Sequence, residues 1–321
     1  MKVPSKIAAA FAALISIGSS ALAFPDRPVT VIVPWAAGGG TDIVVRTFAA
    51  GFEKELGVPV NVVNRTGGNG VAGHTAISVA SRDGYTLGAA SPEIAFYKTL
   101  GTADIAPQSF HLFSRLAVIP AGVTVKSDSP YKGLDDLLKA LRESPKGTFT
   151  SSGTGVGGSW HVAMGGLFKA AGIAPDQARW VPSNGGAPAL QDVMAGGITM
   201  FTGSPVEAKS LIEAGRVRTI AMMTDQRAPA FPDVPTTKEQ KVDWVYSNWF
   251  ALVAPKGIPE DRQQKLFDAA KRAMALPEVQ DPLKARGIMP VWDAPGEFDK
   301  YLSDFVAKGT AVLNDLGLAK N

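Results

Sequence analysis

Along this chain the spacing of apolar residues switches repeatedly between the period of a strand and that of a helix. Val29 to Val33 is an unbroken β-branched run, the composition of a buried strand. Pro34 ends it, because proline has no N–H to give to a sheet ladder. Val44, Phe48, Phe52 and Leu56 then recur every fourth position, one apolar face of a helix. Between the two lie Gly38, Gly39 and Gly40, followed by Thr41 and Asp42, residue types that favour helix starts. The same order returns at Val60–Val63, the glycine loop of residues 64–70, and a small-residue helix through His74 and Val79. Tyr85 to Ala90 reads as a third strand after the Asp83-Gly84 turn, ending at Ser91-Pro92-Glu93. Strand and helix alternating at this spacing predict a mostly parallel sheet flanked by helices.

The middle of the chain repeats the plan. Residues 112–125 are β-rich with breaks at Pro120 and Gly122, and carry the chain into a second lobe. Leu134, Leu137, Leu138 and Leu141 form one helix face. A second glycine loop, Phe149 to Gly158, opens a helix whose apolar face is Met164, Leu167, Phe168 and Ala171. Short strands are expected at 180–182, 198–201 and 217–223, with helices through Met194 and over 206–214. A strand at 249–254, a helix after Pro259 and a last helix near 297–316 return to the first lobe. The expectation is an α/β protein of two lobes joined by a hinge, 24–122 with 227–321 as lobe 1 and 123–226 as lobe 2.

The first 23 residues change the picture. Lys2 and Lys6, an apolar stretch from Ile7 to Ile17 and the small-residue site Ala21-Leu22-Ala23 read as a cleavable export signal. Cleavage after Ala23 is expected, which points to the periplasm. Within 321 residues there is no cysteine, which excludes disulfides, a thiol nucleophile and thiolate metal sites. Three histidines, none in a His-x-x-x-His pair, argue against zinc. The net charge of +3 is spread along the chain, so no nucleic-acid surface is indicated.

A glycine loop that opens a helix is an anion site in outline: converging N–H groups, the helix dipole, and room for close approach. Two such loops, one per lobe, predict a shared pocket. Two rival readings attach to the second loop and its surroundings. Gly153-Thr154-Gly155-Val156-Gly157-Gly158 fits G-x-G-x-x-G, and Asp176 follows at the spacing of a dinucleotide fingerprint. Against an exported NAD-dependent oxidoreductase stand the loop's mid-chain position and the lack of a strand ending at Asp176. Ser159-Trp160-His161 invites a nucleophile reading, but no Gly-x-Ser-x-Gly elbow occurs and no acid is placed to orient His161. Asp42 sits where a carboxylate complements the helix dipole and ties down loop N–H groups, a structural role beside a ligand-contact one. Trp35 and Trp160 flank the loops, either as core or as walls for a ligand's carbon skeleton.

Several of these segments together resemble the substrate-binding proteins of tripartite tricarboxylate transporters, the Bug family. They are Phe24 to Pro28 with Val33 to Asp42, Asn64-Arg65 and its loop, Asp83 to Leu87, Ser152 to His161, Gly185 to Leu190, and Phe231 to Thr236. The resemblance runs through the mature chain in order. It implies a two-lobed periplasmic binding protein fold, type II-like, and a non-enzymatic, monomeric receptor without cofactor or metal. Such a receptor would hand a small organic carboxylate (a di- or tricarboxylate, or an aromatic acid) to the transporter's membrane permease subunits; a sensory co-receptor would share the fold. It also implies that Trp35, Ala36, Ala37, Gly38, Gly39, Thr41, Asp42, Ser91, Ser152, Gly153, Thr154, His161, Thr202 and Ser204 lie at or near the ligand. The family often carries Asp where this chain has Thr202, and an acid there suits a ligand amine. Its absence argues against an amino-acid ligand unless a neighbouring residue substitutes.

Overall fold

The computed structural model describes residues 24–294 and 296–320. The expected export signal, residues 1–23, falls outside them. Strand β1 (Val29–Val33), helix α1 (Gly40–Leu56), β2 (Val60–Asn64), α2 (Val71–Ser78) and β3 (Thr86–Ala90) form a parallel βαβαβ unit. β1 lies between β2 and β3, with Val31 opposite Val62 and Leu87. A turn at Pro92–Ala95 and the short α3 (Tyr97–Leu100) lead to the long β4 (Phe110–Pro120).

The chain then enters a second sheet. It is built from β5 (Gly122–Lys126), α4 (Leu134–Glu143), β6 (Thr150–Ser152), α5 (Ser159–Ala170), β7 (Arg179–Trp180), α6 (Gly186–Met194), β8 (Met200–Gly203), α7 (Pro205–Glu213) and β9 (Val217–Met222). Its order is β7-β6-β8-β5-β9. The return is by β10 (Ser247–Pro255), followed by α8 (Glu260–Ala275), α9 (Pro277–Arg286), β11 (Met289–Pro290) and α10 (Glu297–Asp315). The first sheet is thereby completed as β11-β4-β10-β3-β1-β2.

Both sheets are mixed, a refinement of the mostly parallel expectation. Pairings are parallel where helices make the crossovers, among β1, β2 and β3 and among β6, β7 and β8. The strands that carry the chain between lobes pair antiparallel: β4 with β10, and β5 with β8 and β9. A strand arriving from the other lobe runs against its neighbours because no crossover helix turned it round.

Two crossings join the lobes, and they are tied together. Ala121 N–H donates to Tyr246 O at 3.0 Å, Met223 N–H to Ala121 O at 2.8 Å, and Tyr246 N–H to Met223 O at 3.0 Å. This is the geometry of a hinge. Gly122 already pairs in the second sheet, with Gly203 and Met222. Residues 236–242 also hang on that sheet, through Thr237 N–H to Met222 O and Gln240 Nε2 to Ile220 O. Residues 236–242 thus lie with the second sheet, whereas Ala230 and Phe231 stand against Gly287 of the C-terminal part of the chain.

Helix α1 buries Val44, Val45, Phe48 and Phe52 and ends at Gly57, whose φ of 71° provides the left-handed cap. On the far side of lobe 1, Arg115 and Asp293 form a bidentate ion pair at 2.6 and 2.9 Å, with side chains 14% and 4% exposed. Asp293 also accepts the Arg115 backbone N–H, and its own N–H donates to Ser114 Oγ. These bonds pin the segment before α10 to β4. The Arg115 guanidinium stacks 3.8 Å above the Tyr301 ring on α10.

Candidate functional site

The site lies where the helix starts of the two lobes face each other. α1 opens from the glycine loop after β1 in lobe 1, and α5 opens from the loop after β6 in lobe 2. Between them is a cavity of about 20 Å³, room for one water molecule. Lobe 1 contributes Trp35, Gly39, Gly40, Thr41, Ser91, Glu93, Asn248 and Phe250 to its walls. Lobe 2 contributes Thr154, Trp160, Gly185, Gly186 and Glu207. Residues of both glycine loops line this one cavity, Gly39, Gly40 and Thr41 from the first and Thr154 from the second.

Each helix start receives a carboxylate from the opposite lobe. Gly40 N–H, at the head of α1, donates to Glu207 Oε1 at 2.9 Å. Ser159 N–H, at the head of α5, donates to Glu93 Oε1 at 2.9 Å. Local sequence aims both acids. Ser204-Pro205-Val206-Glu207 is a capping box: Ser204 Oγ accepts from Val206 N–H and Glu207 Oε2 accepts from Ser204 N–H. That fold-back turns the Glu207 carboxylate toward the C-terminal end of β8 and the cleft. Glu93 Oε2 accepts from Ser91 Oγ at 2.7 Å, and Ser91 Oγ accepts from Trp35 Nε1 at 2.9 Å.

A buried relay holds the floor of lobe 1. Ser91 N–H donates to His74 Nε2, so His74 Nδ1 carries the proton that meets Tyr97 Oη at 2.7 Å, and Tyr97 O–H donates to Asn69 O at 2.9 Å. Burial holds His74 down to about 3, so the ring stays neutral in this arrangement. Asn69 in turn grips the other lobe: its Oδ1 accepts Gly155 N–H at 3.0 Å.

The residues singled out from sequence divide by position. Trp35, Gly39, Thr41, Ser91 and Thr154 line the cavity. Ala36 sits at its lip, with N–H to Asn184 O across the cleft, and Ala37 and Gly38 are exposed beyond it. Asp42 stands behind the loop. It accepts from Gly38 N–H and Asn64 Nδ2 and pairs with Arg46, all at 2.9 Å. Burial alone would raise its pKa, but the bonds from Arg46, Gly38 and Asn64 outweigh burial and lower it. Its carboxylate is thus committed to the loop, which needs the left-handed φ of 79° at Gly38. Ser152 is fully buried behind the second loop, and Gly153 packs against Thr202 and Trp160. Thr202 Oγ1 bonds Ser151 Oγ at 2.7 Å, and Ser204 caps α7, so these two position the site from behind.

His161 is also structural in its contacts. Its Nδ1 accepts Gly157 N–H at 3.0 Å and its ring stacks on Trp180 at 4.5 Å, while burial holds it down to about 3. Ser159 Oγ bonds Tyr246 and Asn248 instead. The nucleophile pairing has no geometry here. The dinucleotide fingerprint fails too. Asp176 pairs with Lys146, which precedes β6, while the glycine loop follows β6, so acid and loop lie at opposite ends of the strand.

Glu93, Glu207 and Asn248 line the cavity and Asn69 bridges the lobes beside it, and the sequence reading selected none of them. The Ser-x-x-Glu capping box was the available signal for Glu207. Burial pushes Glu207 from an ordinary 4.5 up to about 7, against bonds from Gly40 and Ser204; the charge of Glu93 adds to the rise, and the Trp160 indole opposes it. Burial raises Glu93 as well. A raised carboxylate holds its proton more tightly in the native state than in the unfolded one. Its stabilisation is complete below about 4.5 and is lost as pH climbs through about 7. The protein is therefore expected to be less stable at pH 8 than at pH 5.5, by about 2 kcal/mol. Urea unfolding of wild type and Glu207→Gln at the two pH values checks this; an equal slope in both would remove Glu207 as the source.

The fold and site define a two-lobed solute-binding protein whose cleft is built from helix N-termini. Residues 44–318 match the model of the tripartite tricarboxylate transporter family receptor. A relative from Cupriavidus necator, the UPF0065 protein in the gbd 5′ region, is 32% identical, with 98% of this chain and 96% of the relative aligned. Among solved structures, the periplasmic binding protein BugD superposes with a TM-score of 0.85 at 25% identity, covering 93% of this chain and 100% of that one. MatC from Rhodopseudomonas palustris, solved with bound malate, gives 0.82 at 26% identity over 90% and 100% of the chains. R. palustris Rpa4515, solved with adipate, gives 0.84 at 25% identity over 92% and 99%. The chain belongs to the tripartite tricarboxylate transporter receptor family, the Bug proteins. Among its described residues, no helix is long and apolar enough to cross a membrane.

Proposed function

We propose that this protein is a periplasmic receptor that captures a small organic carboxylate between its lobes and presents the closed form to membrane permease subunits. One observation carries the reading: the starts of α1 and α5, one from each lobe, open onto a single cavity. A guest that engages both helix starts favours closure, because only the closed form offers both at once. Charge-assisted bonds from backbone N–H groups supply the grip, and the remaining walls set which acid fits. The malate held by MatC and the adipate held by Rpa4515 support a carboxylate as the guest.

The test is a thermal-shift screen of the mature protein against organic acids and NAD. At a hundred times its dissociation constant, a guest stabilises by about 2.7 kcal/mol, which gives a clear rise in Tm. At least one carboxylate should produce it and NAD should not. Stabilisation by NAD alone would reverse the proposal.

A further inference from the structure

Resting on that reading, we infer that Glu93 and Glu207 select a guest carrying a protonated nitrogen beside its carboxylate, in preference to a dianion. The charges in the cleft lead there. Four helix starts converge on it. α1 and α5 donate to the two glutamates, Glu207 lies in the first turn of α7, and a Cβ on Gly186 at the head of α6 would stand 2.5 Å from Glu207 Oε1. At about half a positive charge each, they supply roughly +2. The two glutamates, when ionised, return −2. Among the described residues, no lysine, arginine or histidine lines the cavity.

With both glutamates ionised, the site is balanced before a guest arrives. A dicarboxylate would add two negative charges beside two buried carboxylates. An amino acid adds none, and its ammonium finds acceptors in place. Both glutamates line the same space of about 20 Å³, so an ammonium entering it meets both walls. A partner for the guest's carboxylate is also present: Thr154 lines the cavity, is 4% exposed, and its Oγ1 makes no hydrogen bond among the described residues.

Calorimetric titration of matched acids tests this on the whole mature protein. The pairs are succinate with β-alanine, glutarate with 4-aminobutyrate, and terephthalate with 4-(aminomethyl)benzoate. In pairs that bind, the ammonium member is expected to be tighter by about ten-fold or more. Glu207→Gln should cost that member about ten-fold and narrow the gap, while Glu207→Asp keeps the preference; circular dichroism checks that both fold. Wild-type protein that binds the diacids as well or better overturns the inference and leaves the carboxylate reading standing. No binding by any acid of either kind overturns both.

Discussion

Valine in place of Gly39 is expected to weaken ligand binding by about 10- to 100-fold while both lobes keep their fold. The backbone accepts the change: φ is −76° and ψ 168°, an extended conformation open to valine. Space on the closing path does not. A Cβ there would lie 3.3 Å from Ala36 O and 3.7 Å from Glu207 Oε1, and the two methyl groups extend into the contact between lobes. Overpacking a closed contact costs roughly 1–3 kcal/mol. The open form meets only the Ala36 O contact within the loop, so most of the cost falls on binding. Gly40 is the instructive contrast. A Cβ there would meet the Ile119 side chain at 2.7 Å within lobe 1, so its substitution harms folding as well. An unchanged dissociation constant for Gly39→Val, with native circular dichroism, would exclude this loop from the binding surface.

The largest effect on stability is expected far from the cleft, at Asp293→Ala. Removing this carboxylate leaves the Arg115 guanidinium without its bidentate partner, and leaves the Arg115 backbone N–H without an acceptor. Breaking one side of a buried pair costs about 3–5 kcal/mol, because the remaining charge stays desolvated. Arg115→Met with Asp293→Ala should recover part of the loss, since the uncompensated charge goes with it. Chemical denaturation of the three proteins measures this, and a loss under 1 kcal/mol in the single variant would mean the pair adds little.

The supersecondary plan was readable because the hydrophobic spacing is strong and its punctuation is good. Val29 to Val33, the four-residue recurrence through Leu56 and the leucines of α4 all fall where expected. α9 was not, since Pro282 interrupts it and only Val279 and Leu283 are buried. The antiparallel strands at the hinge were also hidden, because strand direction depends on which lobe the chain comes from. At the site, the glycine loops were legible because a helix start needs no distant partner. The glutamates were not, since their meaning comes from groups on the other lobe. Glu207 meets Gly40 across 167 positions of sequence, and Glu93 meets Ser159 across 66. Asp42 shows the converse: its local position suits both a ligand contact and a loop tie, and Arg46 and Asn64 occupy its Oδ1 while Gly38 N–H occupies Oδ2.

A crystal structure of the mature protein with the acid that most raises its Tm tests the central claim directly. The account predicts that the guest's carboxylate lies within hydrogen-bond distance of backbone N–H groups of the loops that open α1 and α5, beside the Gly40 and Ser159 N–H groups held by the glutamates. A guest bound against one lobe alone, or on the outer face of lobe 1 between β4 and α10, would contradict it.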